Sequence, residues 1–454
     1  MESISYWPLV VLLIGIGAVV IQIAIFRIHA FVALTMAAIL VGILSVPGDN
    51  ALVKSVELTM KEMGTSAGKI AFVIALASVL GIALTESGAA EKIVIKFLGV
   101  FGEKFAPVAL LLAGFILSIP VFFDTVFFLV IPIAQSMGRR FGKNYMFYVL
   151  AIAIGGVLTH SMVPPTPGPL IMAETLSLNL GMVIFVGGLA CVIPAAITYF
   201  ISRKISSKYD IKVPELSGTT QVDVNNLPSF GLSMLPIAVP LILIISASTL
   251  DFINPSRQTS LLFTAIEFVG NKNMAMLIGT ILALWLLARQ KGWGMKELSK
   301  EFDKPLEMAG VIILITSAGG AFGAMIKNSG IGQMIEDMTG HGVAFNFIIL
   351  AWVISSVMKF AQGSGTVAMI TTAGIMLALM ESVTLPFHSV YIYLAIGFGS
   401  MTVSWMNDSG FWLVAKLSGF TQGQMLSTWT VTLAVMSVLG VIQTLILSFL
   451  FPMI

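Results

Sequence analysis

Four segments place polar or charged side chains inside otherwise apolar sequence. The first, Ser118-Ile-Pro120-Val-Phe-Phe-Asp124-Thr125, puts an acid where an ionised carboxylate costs several kcal/mol unless it is paired or hydrated. Asp124 therefore reads as a proton-carrying or cation-linked acid with Thr125 beside it. The alternative is a helix-start residue that caps the amides freed after Pro120, and the two roles are compatible. The second, Thr159-His160-Ser-Met-Val-Pro164-Pro-Thr-Pro-Gly-Pro169, has four prolines in six residues. That density removes amide donors and predicts extended backbone, with carbonyls and hydroxyls free for a polar ligand or in a loop that merely reverses the chain. His160 is either a satisfied core histidine or a ligand and proton relay.

The third segment, Lys359-Phe-Ala-Gln362-Gly-Ser364-Gly365-Thr366, is small and hydroxylated, so a ligand can approach its backbone. A helix resuming after Gly365 would turn free amides and its positive dipole end toward an anion. Close helix packing is the alternative use of such residues. Lys359 can neutralise a substrate carboxylate, pair with Asp124 or Asp408, or extend toward an interface. The fourth, Trp405-Met-Asn407-Asp408-Ser409-Gly-Phe-Trp412, is too polar for a lipid-facing helix. It is expected to line a hydrated site or to form a buried polar network joining two broken helices. Substrate binding is thus expected at Thr125, His160, Lys359, Gln362, Ser364, Thr366, Asn407 and Ser409, and proton coupling at Asp124 and Asp408.

Other chemistry lacks its residues. No Walker A, HExxH or GxSxG motif and no Cys/His cluster occurs, so neither ATP-driven transport, an enzyme, a metal nor a cofactor is expected. A net charge of +2 gives no basis for nucleic-acid binding. The one cysteine, Cys191, lies in an apolar run and is expected to be inert packing.

The elements that hold these segments must be membrane helices. Charged residues are 10% of the chain, apolar types 57%, and mean hydropathy is +0.99. A soluble domain carries roughly 25% charged residues, so a large water-facing surface is excluded. The apolar runs are continuous, against the alternating ~10-residue segments of a β-barrel. The fold expected is an all-α polytopic membrane protein with about 10 full spans plus two intramembrane hairpins or broken helices, about 12–14 hydrophobic passes in all. The hairpins fall in 106–137 and 343–380, runs too long for one span and interrupted at Ser118–Pro120 and Gln362–Gly365. The run from Trp7 to Phe26 lacks a basic n-region before it and reads as a retained span.

The spacing also repeats. Gly81 and Ser87-Gly88 recur as Gly323 and Ser329-Gly330, Thr125-Val126 as Thr366-Val367, and a bend at Gly155-Gly156 as Gly399-Ser400. This divides the chain into an N-terminal membrane repeat (1–201), a cytoplasmic linker (202–232) and a C-terminal repeat (233–454). Loops of the first half carry Lys92, Lys96, Lys104, Arg139, Arg140 and Lys143; their counterparts at 331–345 and 381–388 carry no Lys or Arg, only Glu336, Asp337, His341, Glu381 and His388. The positive-inside rule then makes the repeats inverted, with both termini outside. Inverted repeats with broken helices meeting near the midplane are a secondary-transporter design.

Taken in order, Pro120-Val-Phe-Phe-Asp124, Thr159-His160-Ser-Met-Val-Pro164-Pro-Thr-Pro-Gly-Pro169, Lys359-Phe-Ala-Gln-Gly-Ser-Gly-Thr-Val-Ala368 and Asn407-Asp-Ser-Gly-Phe-Trp412 resemble the gluconate permease family, gluconate:proton symporters of bacterial inner membranes within the ion transporter superfamily. The similarity runs nearly the whole chain and includes Gly319–Gly323 and Ser329-Gly330. Asp124 stands where the family has Glu, Thr166 where it has His, and Trp405 where a His often precedes Asn-Asp. The resemblance implies a multi-pass inner-membrane carrier that imports gluconate or a related small hydroxylated carboxylate with protons. A sodium-coupled carrier for a similar anion or a D-serine-like amino acid is the alternative, with an intramembrane enzyme or a channel further off. It also implies a homodimer with elevator-type motion, and no cofactor beyond the ion gradient.

Overall fold

The computed structural model describes residues 6–46, 48, 50–141, 144–211, 213–214, 226–253, 261–340, 346–380 and 383–453. Lys143, His341, Glu381 and linker residues 212 and 215–225 lie outside the described residues. Among the described residues every regular element is helical. Among the described residues seven helices are long and apolar enough to cross a membrane, and a further set of apolar helices is only 10–17 residues long. Four of the short helices, Ala106–Leu117, Phe347–Gln362, Gly365–Met380 and Val390–Gly399, are short because spans are broken at the polar segments. Large apolar side chains such as Phe185, Phe200, Ile242 and Phe449 are exposed on the outer helices. In a bilayer that surface faces lipid tails, so exposure there carries no hydrophobic penalty.

Both anticipated hairpins form. Helix Ala106–Leu117 stops at Ser118, and the chain restarts as helix Phe123–Phe141. Helix Phe347–Gln362 stops at Gly363, and the chain restarts as helix Gly365–Met380. Each hairpin's first helix packs on a following helix through a glycine. A Cβ on Gly155 would lie 2.0 Å from Leu111 O, and a Cβ on Gly399 would lie 2.7 Å from Trp352 O. The same contact therefore recurs in the second half. Gly155-Gly156 is nevertheless not a bend: it lies inside the unbroken helix Tyr145–Met162, where the missing side chains let two backbones touch. Gly399 does end a helix, Val390–Gly399, and the chain remains irregular until Ser409.

One helix is longer than a single span needs, and two boundaries differ from the sequence expectation. Helix Ala51–Glu86 is 36 residues long and absorbs the polar stretch before Lys69, because Ser55 and Thr59 bury their hydroxyls by donating to carbonyls one turn back. The proline-rich segment is irregular only from Val163 to Thr166; Pro167 and Pro169 sit in the first turn of helix Pro167–Thr175, where a proline's missing amide costs nothing. The ends of the 202–232 linker belong to the membrane body. Helix Val192–Ser206 runs into it, Tyr209 donates to Ser427 Oγ at 2.7 Å, and Arg139 donates to Pro214 O at 3.0 Å.

Candidate functional site

The four polar segments meet. One cavity of about 330 Å³ is lined by Asp124 and Thr125, His160 and Ser161, Lys359 and Gly363–Thr366, and Asp408–Gly410. Eight of the ten expected site residues therefore share a single space: Asp124, Thr125, His160, Lys359, Ser364, Thr366, Asp408 and Ser409.

Two, Asn407 and Gln362, do not line it, and Asn407 serves the second break itself. Asn407 donates its amide to Phe360 O at 2.7 Å and Ala361 O at 3.3 Å. Gln362 turns its amide nitrogen toward Met358 Sδ at 3.9 Å, and its side-chain oxygen is buried without a partner. Gly363 explains why these segments can touch. Its φ of 78° suits glycine, and a Cβ there would lie 2.2 Å from Asn407 O.

Four helix starts contribute residues to the cavity: Phe123, Pro167, Gly365 and Ser409. The first four amides of a helix have no intrahelical partner. At Gly365–Met380 the Ser364 hydroxyl takes the Val367 amide at 3.3 Å and Ala368 reaches Ser364 O, which leaves the amides of Gly365 and Thr366 for a ligand. At Phe123–Phe141 the Val126 amide bonds Phe122 O, and Phe123 to Thr125 precede it. Such ends attract anions.

The two acids differ. Asp408 is buried and bound on all sides by donors: Lys359 Nζ at 2.7 Å, the Ser404 hydroxyl, and the Gly410 amide at 2.9 Å. It also caps helix Ser409–Ser418. Lys359 divides itself between Asp408 and Gly363 O, each at 2.7 Å, so of its three anticipated uses the structure realises the pairing with Asp408. Asp124 is exposed in the cavity wall, and among the described residues no hydrogen bond or ion pair reaches its carboxylate. The His160 and Phe122 rings meet edge to face at 6.3 Å, and among the described residues the buried His160 Nδ1 has no hydrogen-bond partner. The Thr166 hydroxyl is not free for a ligand: it donates to Val163 O at 2.9 Å and His160 O at 3.1 Å, closing the proline-rich turn.

Sequence reasoning missed Thr316, Ser400 and Trp429 in the lining and Ser404 behind it. Thr316 and Trp429 lie on long apolar helices with no local break to mark them. Among the described residues no group of three His, Cys, Asp or Glu could hold a metal.

Comparison with known proteins gives a consistent result. The family model described as GntP family permease matches residues 7–450. The chain is 29% identical over 441 residues to the gluconate permease of Pseudomonas aeruginosa, covering 96% of each. It is 27% identical over 442 residues to the Gnt-II system L-idonate transporter of Escherichia coli K12, covering 97% of this chain and 99% of that one. The crystal structure of the Alcanivorax borkumensis YdaH transporter shares the fold, with a TM-score of 0.64 at 14% identity over 99% of both chains.

Proposed function

The chain belongs to the GntP family of permeases, and on that premise we propose that it is a proton-coupled symporter importing a sugar acid or similar small hydroxylated carboxylate across a bacterial inner membrane. The observation that carries this reading is the unpartnered Asp124 carboxylate in a cavity that also receives the starts of two broken helices. A cavity of about 330 Å³ suits a ligand of that size. The substrate carboxylate sits at the free amides of Gly365 and Thr366, since Lys359 is already committed to Asp408. Thr125, His160, Ser364, Thr366 and Ser409 meet the substrate hydroxyls.

Asp124 is the coupling acid. A proton on it removes a negative charge from a cavity that must accept an anion, so proton and substrate favour each other. A proton entering with a monovalent anion moves no net charge, so the pH difference drives accumulation, at ~1.4 kcal/mol per pH unit. Asp408, tied to three donors, positions Lys359 and the second break and does not carry the proton. The two halves work as inverted repeats about this cavity, and a homodimer supplies the fixed frame against which they move.

The test is Asp124→Asn in proteoliposomes with gluconate and L-idonate. Proton-driven accumulation is expected to vanish, while binding and substrate exchange at equal concentrations persist. Undiminished accumulation in the variant, or wild-type accumulation that follows a sodium gradient at constant pH, would refute the mechanism.

A further inference from the structure

Most of the polar lining of the cavity comes from the chain breaks, but much of its apolar lining comes from two stretches that carry no break in sequence. Ile312 and Ile315 lie on helix Asp303–Lys327, and Trp429 and Leu433, one turn apart, lie on the last long helical stretch. Trp429 differs from the other three in being tied to the polar site. Its side chain is 2% exposed, its ring lies 5.8 Å from that of Phe123 beside Asp124, and its indole N–H donates to Ser404 Oγ at 2.8 Å. Ser404 Oγ in turn bonds Asp408 Oδ2, and Thr430 Oγ1 donates to Ser404 O at 2.5 Å.

The direction of this chain follows from chemistry. An indole nitrogen can only donate, so Ser404 must accept from it. The one proton of the Ser404 hydroxyl is then left for the Asp408 carboxylate. Local backbone supports the arrangement. Residues Leu426–Thr430 form one π-helical turn inside an otherwise α-helical stretch. Such a turn adds a residue, which lets neighbouring Trp429 and Thr430 both reach Ser404, and π-turns occur frequently at functional sites.

We propose that Trp429 determines the specificity of the cavity: its ring forms the wall on which the substrate's carbon chain packs, and its N–H, through Ser404, orients the Asp408 carboxylate. The inference rests on the reading of this cavity as the sugar-acid site. A hydroxylated chain presents C–H groups between its hydroxyls, and a rigid aromatic face accepts those while the breaks bond the hydroxyls. Trp429 thus contacts the substrate directly and acts on Asp408 as a positioning residue.

The experiment uses the full chain in liposomes, with gluconate as probe. Trp429→Leu is expected to raise KM about tenfold, the loss of one aromatic contact. Trp429→Phe keeps the ring and removes the donor, so KM stays within about threefold while the maximal rate falls. Ser404→Ala should lower the rate to the same level, and the double variant should be no slower than either single one, because all three cut one chain. Gluconate should change tryptophan emission in wild type more than in Trp429→Phe. An unchanged KM in Trp429→Leu, or losses that multiply in the double variant, would overturn the proposal. A wild type that binds no sugar acid would remove the functional reading together with it, whereas a competent wild type matched by all its Trp429 variants would remove this inference alone.

Discussion

Replacing Lys359 or Asp408 alone should destabilise the protein more than replacing both. The two side chains are 6% and 12% exposed, with Nζ 2.7 Å from Oδ2. Removing one partner of a buried pair costs about 3–5 kcal/mol, because the remaining charge is left uncompensated, whereas apolar replacement of both is often neutral. In Lys359→Met the orphaned Asp408 keeps the Ser404 hydroxyl and the Gly410 amide, which places the loss near the lower figure. In Asp408→Ala the orphaned ammonium keeps only Gly363 O, and helix Ser409–Ser418 loses its cap, so the loss lies near the upper figure. The double variant should recover about 2 kcal/mol or more relative to Asp408→Ala. Cys191, the single cysteine, is buried. A thiol-reactive dye therefore reports unfolding of detergent-solubilised protein on heating, and the three variants can be ranked by melting temperature. A double variant that melts lower than both single variants, with shifts that add, would refute the claim that the pair is one buried electrostatic unit.

Other consequences can be measured on the same preparations. Gly363→Ala should prevent accumulation of folded protein, since a left-handed φ of 78° and a 2.2 Å approach to Asn407 O coincide there. Gly330→Ala, with a φ of 80° but nothing within 4 Å, should cost only the backbone strain of roughly 1–2 kcal/mol; size-exclusion profiles and melting temperatures separate the two. Outside the spans, Glu91 has its carboxyl pushed up to about 7, first by burial and then by Glu86, against the lowering effects of its own backbone amide and Lys291. A raised carboxyl means that the folded state holds the proton more tightly, so stability falls as pH rises from the ordinary glutamate range through about 7. Glu91→Gln should therefore melt higher than wild type at pH 8 and no higher at pH 5; equal curves at both pH values would refute the burial of that carboxyl.

The sequence by itself determined the solvent of this protein, its helical class and the places where its helices break. Low charge and long apolar runs admit only helices in lipid, where every backbone amide must be bonded within its own segment. Proline, glycine and clustered polar residues then mark the interruptions, which is why Asp124, Ser364, Thr366 and Asp408 could be named in advance. Tertiary structure decided how those residues divide their work. Lys359 and Asp408 are 49 positions apart, and nothing local states that they pair while Asp124 stays free. Asn407 looks like a ligand residue but holds a break together, a role set by the Phe360 and Ala361 carbonyls opposite it. Glycine at 155 announces a bend equally well as a close approach, and only the Leu111 carbonyl 2.0 Å from the position of its missing Cβ distinguishes them. Trp429 gave no signal in its own helix, because an apolar residue facing a cavity and one facing lipid follow the same period. Helix formation and breakage follow from neighbours along the chain, but pairing and lining depend on residues tens to hundreds of positions away.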